Sequence, residues 1–98
     1  MFAVVNTMTL ARGLDLRLIA RMQDQLMADG ASVPGFLEAN FIQVAADTAV
    51  MVVICENPEA VQAVHDEIGL PWIRENLGPY LASADRKVGP VLASSRLS

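Results

Sequence analysis

A chain of 98 residues with 53% hydrophobic side chains has room for one domain with a modest core. Its net charge of -4, with 7 Lys and Arg against 11 Asp and Glu, excludes the basic footprint of a nucleic-acid binder and the polybasic patch of an anionic-lipid binder. Cys55, the single cysteine, excludes an internal disulfide and a thiolate zinc site, and it fits a reducing, cytoplasmic setting.

The opening stretch MFAVVNTMTLARG has no basic leader and no cleavage signature, so it is not expected to be a signal peptide. No stretch reaches the length of a membrane span. Phe2–Leu10 reads as a strand, with Phe2, Val4, Asn6 and Met8 on one face and Ala3, Val5, Thr7 and Thr9 on the other. Neither face is charged, so both are expected to be covered. RGLD then turns into a helix that Asp15 can cap, with Leu14 and Ile19 placed as a hydrophobic staple. Leu16, Ile19, Met22, Leu26 and Met27 share an apolar arc, Arg17, Arg21, Asp24 and Gln25 point away, and Gln23 falls inside the arc. Gly30 is the expected stop.

SVPGF is a turn, and residues 36–44 read as a second strand. AADT makes a short hairpin connection to a third strand over 48–56, apolar on both faces until Glu56. Asn57, Pro58 and Glu59 form a strong helix start: a cap, a proline at the first helical position and an acid at the positive end of the dipole. Val61, Val64 and Ile68 make its buried stripe, and Gly69 is expected to end it. A new helical segment begins near Pro71, with Ile73, Leu77, Tyr80 and Leu81 along one side and a break at Gly78-Pro79. Residues 86–94 read as the last strand, where Pro90 implies an edge position or a bulge.

This order, β-α-β-β-α-β, predicts a single α+β domain over 1–98 with a ferredoxin-like antiparallel sheet. Two helices cover only one sheet face, yet the first and third strands are apolar on both. The simplest partner for the bare face is a second copy, so a homodimer is expected.

The stretch HDEIGLPWIRENLGPYL holds the only His, Trp and Tyr. Consecutive helical residues diverge by about 100°, so His65, Asp66 and Glu67 are not expected to converge on a metal ion. His65 lies at the margin of the apolar stripe, where it would border a cavity or serve as a half-buried structural histidine. Trp72 is a packing anchor or the wall of an aromatic pocket, and Arg74 and Glu75 read first as surface charge. Tyr80 on the buried stripe needs a partner for its hydroxyl. Asn6 and Gln23 are amides within apolar sets. A buried amide left unbonded costs about 1–3 kcal/mol, so backbone, a twin residue across a dimer or a ligand must satisfy each. No G-x-S-x-G, Walker loop or G-x-G-x-x-G is present. One histidine without a patterned nucleophile argues against a hydrolytic triad, and Cys55 reads as an inert buried thiol.

VPGFLEANF, DTAVMVVICENPEAVQAV and PWIRENLGPYL resemble the antibiotic-biosynthesis-monooxygenase-like family of dimeric α+β barrels. The similarity covers nearly the whole chain in element order. Its recognisable local parts are Pro34-Gly35-Phe36 and Glu56 followed by Glu59-Ala60. The resemblance implies a barrel of two paired sheets, and either cofactor-independent oxygenation of polycyclic aromatic compounds or oxidative haem breakdown. Of the haem-branch residues, Asn6 matches the first-strand asparagine. The tryptophan position falls on Val64, and the histidine position falls around Arg74, Glu75 and Asn76. The asparagine and tryptophan of the quinone-forming branch fall on Met51 and Cys55. The expectation is therefore a cofactor-free monooxygenase acting on a small aromatic molecule, with Asn6, Trp72 and Arg74 as catalytic candidates and Gln23, His65 and Tyr80 as ligand contacts. No metal and no cofactor are expected. The competing expectation is a non-catalytic dimeric module that binds a small apolar ligand or another protein.

Overall fold

The computed structural model describes residues 1–96. Strand β1 is Phe2–Leu10, β2 is Phe36–Ala45, β3 is Thr48–Cys55 and β4 is Leu81–Pro90. Helix α1 covers residues 16–31 and helix α2 covers 58–77, each alternating α-type and wider π-type turns, and a 3-10 turn, Gly78–Tyr80, links α2 to β4. The sheet runs β2-β3-β1-β4 with every neighbouring pair antiparallel. This is the ferredoxin-like α+β order expected from the sequence.

Both helix starts follow from side-chain chemistry. Asp15 Oδ1 accepts the Leu18 N–H at 2.7 Å. Asn57 Oδ1 accepts the Ala60 N–H at 2.8 Å, with Pro58 at the first helical position. Each cap satisfies an amide that the helix itself leaves unpaired, a contribution of about 1 kcal/mol.

Three local expectations change. First, α1 buries Leu18, Met22 and Leu26, while Leu16 is 87% and Ile19 39% exposed. Gln23 is exposed too, outside the buried face. The buried stripe runs at a spacing of four residues to Gly30, and the π-type turn Met22–Met27, whose bonds reach five residues, keeps that spacing on the sheet. Second, Gly69 does not end the helix, because its backbone is helical at φ -67 and ψ -55. Pro71 lacks an N–H, and the π-type turn Val64–Gly69 directly precedes it, where the regular ladder would lose a donor. The break at Gly78-Pro79 does occur. Third, the last strand is Leu81–Pro90, not 86–94. The Tyr80 carbonyl accepts the Ala11 N–H at 2.7 Å, so pairing starts immediately after the turn. β4 is an edge strand, and Pro90 is its last residue.

The recognisable stretches around Gly35 and Glu56 meet at one junction. Gly35 has φ +89, and a Cβ there would lie 2.8 Å from the Ala60 Cβ. Its carbonyl accepts the Glu56 N–H at 2.8 Å. Only glycine fits this positive-φ corner where the β2 entry passes the start of α2.

The helices cover one sheet face and pack two core clusters. One contains Met8, Leu18, Met22, Met51, Trp72 and Leu77. The other contains Val4, Val33, Cys55, Ala60, Val61 and Val64. No described element covers the opposite face. There Val5 pairs with Val52, Thr7 with Val50 and Ile42 with Val50. Val5 and Ile42 are 43% and 46% exposed. No helix among the described residues is long and apolar enough to cross a membrane.

Candidate functional site

Where the two core clusters meet, sheet and helices form a half-open cavity of about 250 Å³. Its floor includes Val4, Asn6, Met51 and Arg86, and its roof includes Leu26, Val64, His65 and Ile73. Among the described residues, Asn6, His65 and Arg86 are the ones with polar side chains in the wall.

Strand register explains the polar pair. Asn6 on the central strand β1 stands between Met51 of β3 and Arg86 of β4. Directly opposed residues share a sheet face, so Asn6 and Arg86 both sit beneath the helices. Asn6 Oδ1 and Arg86 Nη2 are buried and have no hydrogen-bond partner. An unpartnered buried acceptor costs about 1–3 kcal/mol. Arg86 is half-buried overall, and its Nη2 is a charged donor with an open place for an acceptor. The pair offers one acceptor and one charged donor beside an otherwise apolar chamber. That arrangement suits a small, flat, mostly apolar molecule with a carbonyl, phenol or enolate oxygen.

His65 faces this chamber from α2. Its Nδ1 lies 3.0 Å from Asp66 Oδ1. Both Asp66 oxygens also accept from Gln62 Nε2, at 2.9 Å. The Gln62 amide first, and His65 second, hold the Asp66 carboxyl below the usual carboxylate range. The two backbone positions diverge around the helix, but their side chains fold back into contact. Glu67 is exposed and takes no part. Among the described residues no three His, Cys, Asp or Glu side chains gather to hold a metal ion.

The other expected site residues lie elsewhere. Trp72 is 8% exposed within the first core cluster, and its Nε1 donates to Gln25 Oε1 at 3.0 Å rather than lining the chamber. Arg74 and Gln23 are exposed and are not part of the wall. Asn76 donates to the Trp72 carbonyl at 3.1 Å. The Tyr80 hydroxyl donates to Asp15 Oδ2 at 2.9 Å, and the Arg12 guanidinium lies 4.4 Å from the Tyr80 ring centroid. These contacts tie the end of β1 and the start of α1 to the turn before β4. Cys55 is fully buried, and burial pushes its thiol pKa up, away from nucleophile chemistry.

The structure thus brings Asn6 and His65 to one cavity and adds Arg86. A lone arginine at the start of an expected edge strand carried no signal. Pairing β4 as Leu81–Pro90 against β1 would have revealed it, because Arg86 then opposes Asn6.

By sequence, no family model and no curated protein matches the chain. Solved structures do. SnoaB, a cofactor-independent oxygenase from Streptomyces nogalater, is 14% identical with a TM-score of 0.75, covering 96% of this chain and 95% of its own. An antibiotic biosynthesis monooxygenase candidate from Nitrosomonas europaea is 12% identical with a TM-score of 0.71, covering 95% of this chain and 100% of its own. The chain has the antibiotic-biosynthesis-monooxygenase-like fold. MhuD, in a single-substitution variant with two manganese protoporphyrin IX molecules bound per active site, shares this antibiotic-biosynthesis-monooxygenase-like fold at 18% identity and a TM-score of 0.71, covering 96% of this chain and 97% of its own.

Proposed function

We propose that the protein binds a small planar aromatic ketone or phenol in the sheet–helix cavity and oxygenates it without a cofactor. The supporting observation is the buried, unpartnered pair of Asn6 Oδ1 and Arg86 Nη2 beside an apolar chamber. Buried polar groups are rarely left unpaired: a ligand carbonyl or phenolate oxygen supplies the acceptor that Arg86 Nη2 lacks, and a ligand hydroxyl supplies the donor that Asn6 Oδ1 lacks. The kinship of fold with SnoaB, itself described as a cofactor-independent oxygenase, supports the same reading.

The chemistry is that of an aryl methylene flanking a carbonyl system. Loss of one C–H proton leaves an anion whose charge rests on the carbonyl oxygen, where the Arg86 guanidinium stabilises it. Dioxygen takes electrons from this anion and bonds to the carbon, and the resulting peroxide anion takes back the proton lost in the first step, giving a hydroperoxide. Loss of water then leaves a new carbonyl. One oxygen atom enters the product, the other leaves as water, and the four-electron oxidation of CH₂ to C=O balances the reduction of O₂.

A tetrapyrrole fits these residues poorly. About 250 Å³ lies below the usual span of roughly 300–1,000 Å³ for drug-sized ligands. The positions expected for an axial histidine, Arg74 to Asn76, lie off the cavity wall.

The bare sheet face with Val5, Val52 and Ile42 supports a homodimer paired through it, and light scattering should give twice the mass of one chain. Anthrone, a three-ring ketone with one methylene, tests the activity through oxygen uptake and anthraquinone formation. Wild-type protein should accelerate both, and Arg86→Met should lose at least about tenfold, or 1.4 kcal/mol of transition-state stabilisation. Saturable binding of anthrone with no acceleration would overturn the oxygenase reading in favour of a non-catalytic binding module.

A further inference from the structure

Removing a substrate proton needs an acceptor, and the wall of the cavity offers one. Of its three polar side chains, the Asn6 amide is no base and the Arg86 guanidinium offers only donors. His65 is the remaining group. We propose that His65 is the proton acceptor of this cavity and that Asp66 is the residue that positions its ring. The inference rests on the ligand-binding reading above and assigns the proton's destination within it.

The geometry around the imidazole carries the assignment. Asp66 Oδ1 sits 3.0 Å from Nδ1, so an ionised Asp66 makes Nδ1 the protonated nitrogen and leaves Nε2 with a free lone pair. Gln62 clamps the carboxylate through both oxygens at 2.9 Å, which fixes its orientation one helical turn before Asp66. The hydrogen bonds from Gln62 and His65 favour the charged carboxylate, and the Arg86 guanidinium adds a smaller attraction from the sheet. In the reaction, the ligand O–H or C–H bond breaks and an Nε2–H bond forms. The electron pair stays on the ligand, beside the Arg86 charge. An imidazolium between Asp66 and the new anion is paired on both sides, so no isolated charge is left in the apolar chamber. No electron leaves the ligand in this step, and no oxidant is needed.

7-Hydroxycoumarin, a planar two-ring phenol whose anion absorbs at longer wavelength, is the probe. At about pH 7 it should bind the wild-type protein as the anion, read by absorbance. Calorimetry in two buffers of different ionisation enthalpy should show about zero protons released per bound anion, because the proton stays on the protein. His65→Gln should bind the anion at least about tenfold more weakly and release about one proton for every anion it does bind. Asp66→Asn should cut the bound anion fraction by about tenfold, and Asp66→Glu should restore most of it, which a purely structural role would not produce. Release of one proton per bound anion by the wild type, or binding of the neutral phenol by the wild type and His65→Gln alike, overturns the proton-acceptor assignment and leaves the ligand reading standing. Absence of any binding by the wild type overturns the ligand reading itself and this assignment with it.

Discussion

Replacing Asn6 by leucine separates a binding residue from a structural one. The two side chains have nearly the same shape, so Asn6→Leu removes an amide without opening a hole. In the folded chain Asn6 Oδ1 is buried with no partner, between Met51 and Arg86. An unsatisfied acceptor of this kind costs about 1–3 kcal/mol, and leucine removes that cost. The ligand-free variant should therefore be more stable than the wild type by about 1–3 kcal/mol. For a domain of this size that is a rise in Tm of roughly 4–8 °C for each kcal/mol. Urea unfolding, at one fixed protein concentration because a dimer's stability depends on it, should show a higher midpoint with an unchanged slope. At about pH 5, where the neutral phenol keeps a hydroxyl hydrogen to donate to Oδ1, the same variant should bind 7-hydroxycoumarin at least about tenfold more weakly, a loss of 1.4 kcal/mol. Stability gained with binding lost is the signature of a group kept for a ligand. A destabilisation of about 1 kcal/mol or more would refute the reasoning, because it would mean that Asn6 is hydrogen-bonded within the folded chain.

Two further perturbations test the frame around the site. Gly35→Ala places a Cβ 2.8 Å from the Ala60 Cβ at a residue with φ +89. The left-handed backbone alone costs about 1–2 kcal/mol for an L-residue, and the clash adds to it, so chemical denaturation should show a loss of about 2 kcal/mol or more. An unchanged midpoint would contradict the junction described between β2 and α2. Asp15 has its carboxyl held below the ordinary aspartate value, first by the Leu18 N–H and then by the Tyr80 hydroxyl. A folded pKa below the unfolded one adds stability that is present above the unfolded value and lost as pH falls through the folded one. The gap in urea midpoint between wild type and Asp15→Asn should accordingly be larger at about pH 7 than at about pH 2. An equal gap at both would mean that the carboxylate's charge adds nothing at that cap.

Much of the frame is local, and local chemistry is legible along the chain. Asp15 and Asn57 announce their helices because a short acceptor before an apolar run satisfies orphan amides wherever it occurs. Pro34-Gly35 marks its corner because no other residue type takes φ +89 there without strain. Alternation in Phe2–Leu10 assigns Asn6 to the same face as Val4 and Met8, and the two-faced apolar β1 and β3 reveal a sheet with one side uncovered.

Other features depended on what lies across the sheet or between helices. Leu16 and Leu18 are equally hydrophobic, and only the packing of α1 on the sheet chooses Leu18. Trp72 could face a ligand or a core, and a Gln25 carbonyl 47 residues away settles it as core. Asp66 turns back onto His65 because side-chain rotation, unlike backbone angle, is free to close the gap. Arg86 reaches the cavity wall only through its register with Asn6, far apart in the chain but adjacent in the sheet. Capping, turns and periodicity act between neighbours in sequence, so sequence alone determines them. The candidate cavity is made by residues brought together from both helices and all four strands, and that meeting is decided only when the tertiary structure forms.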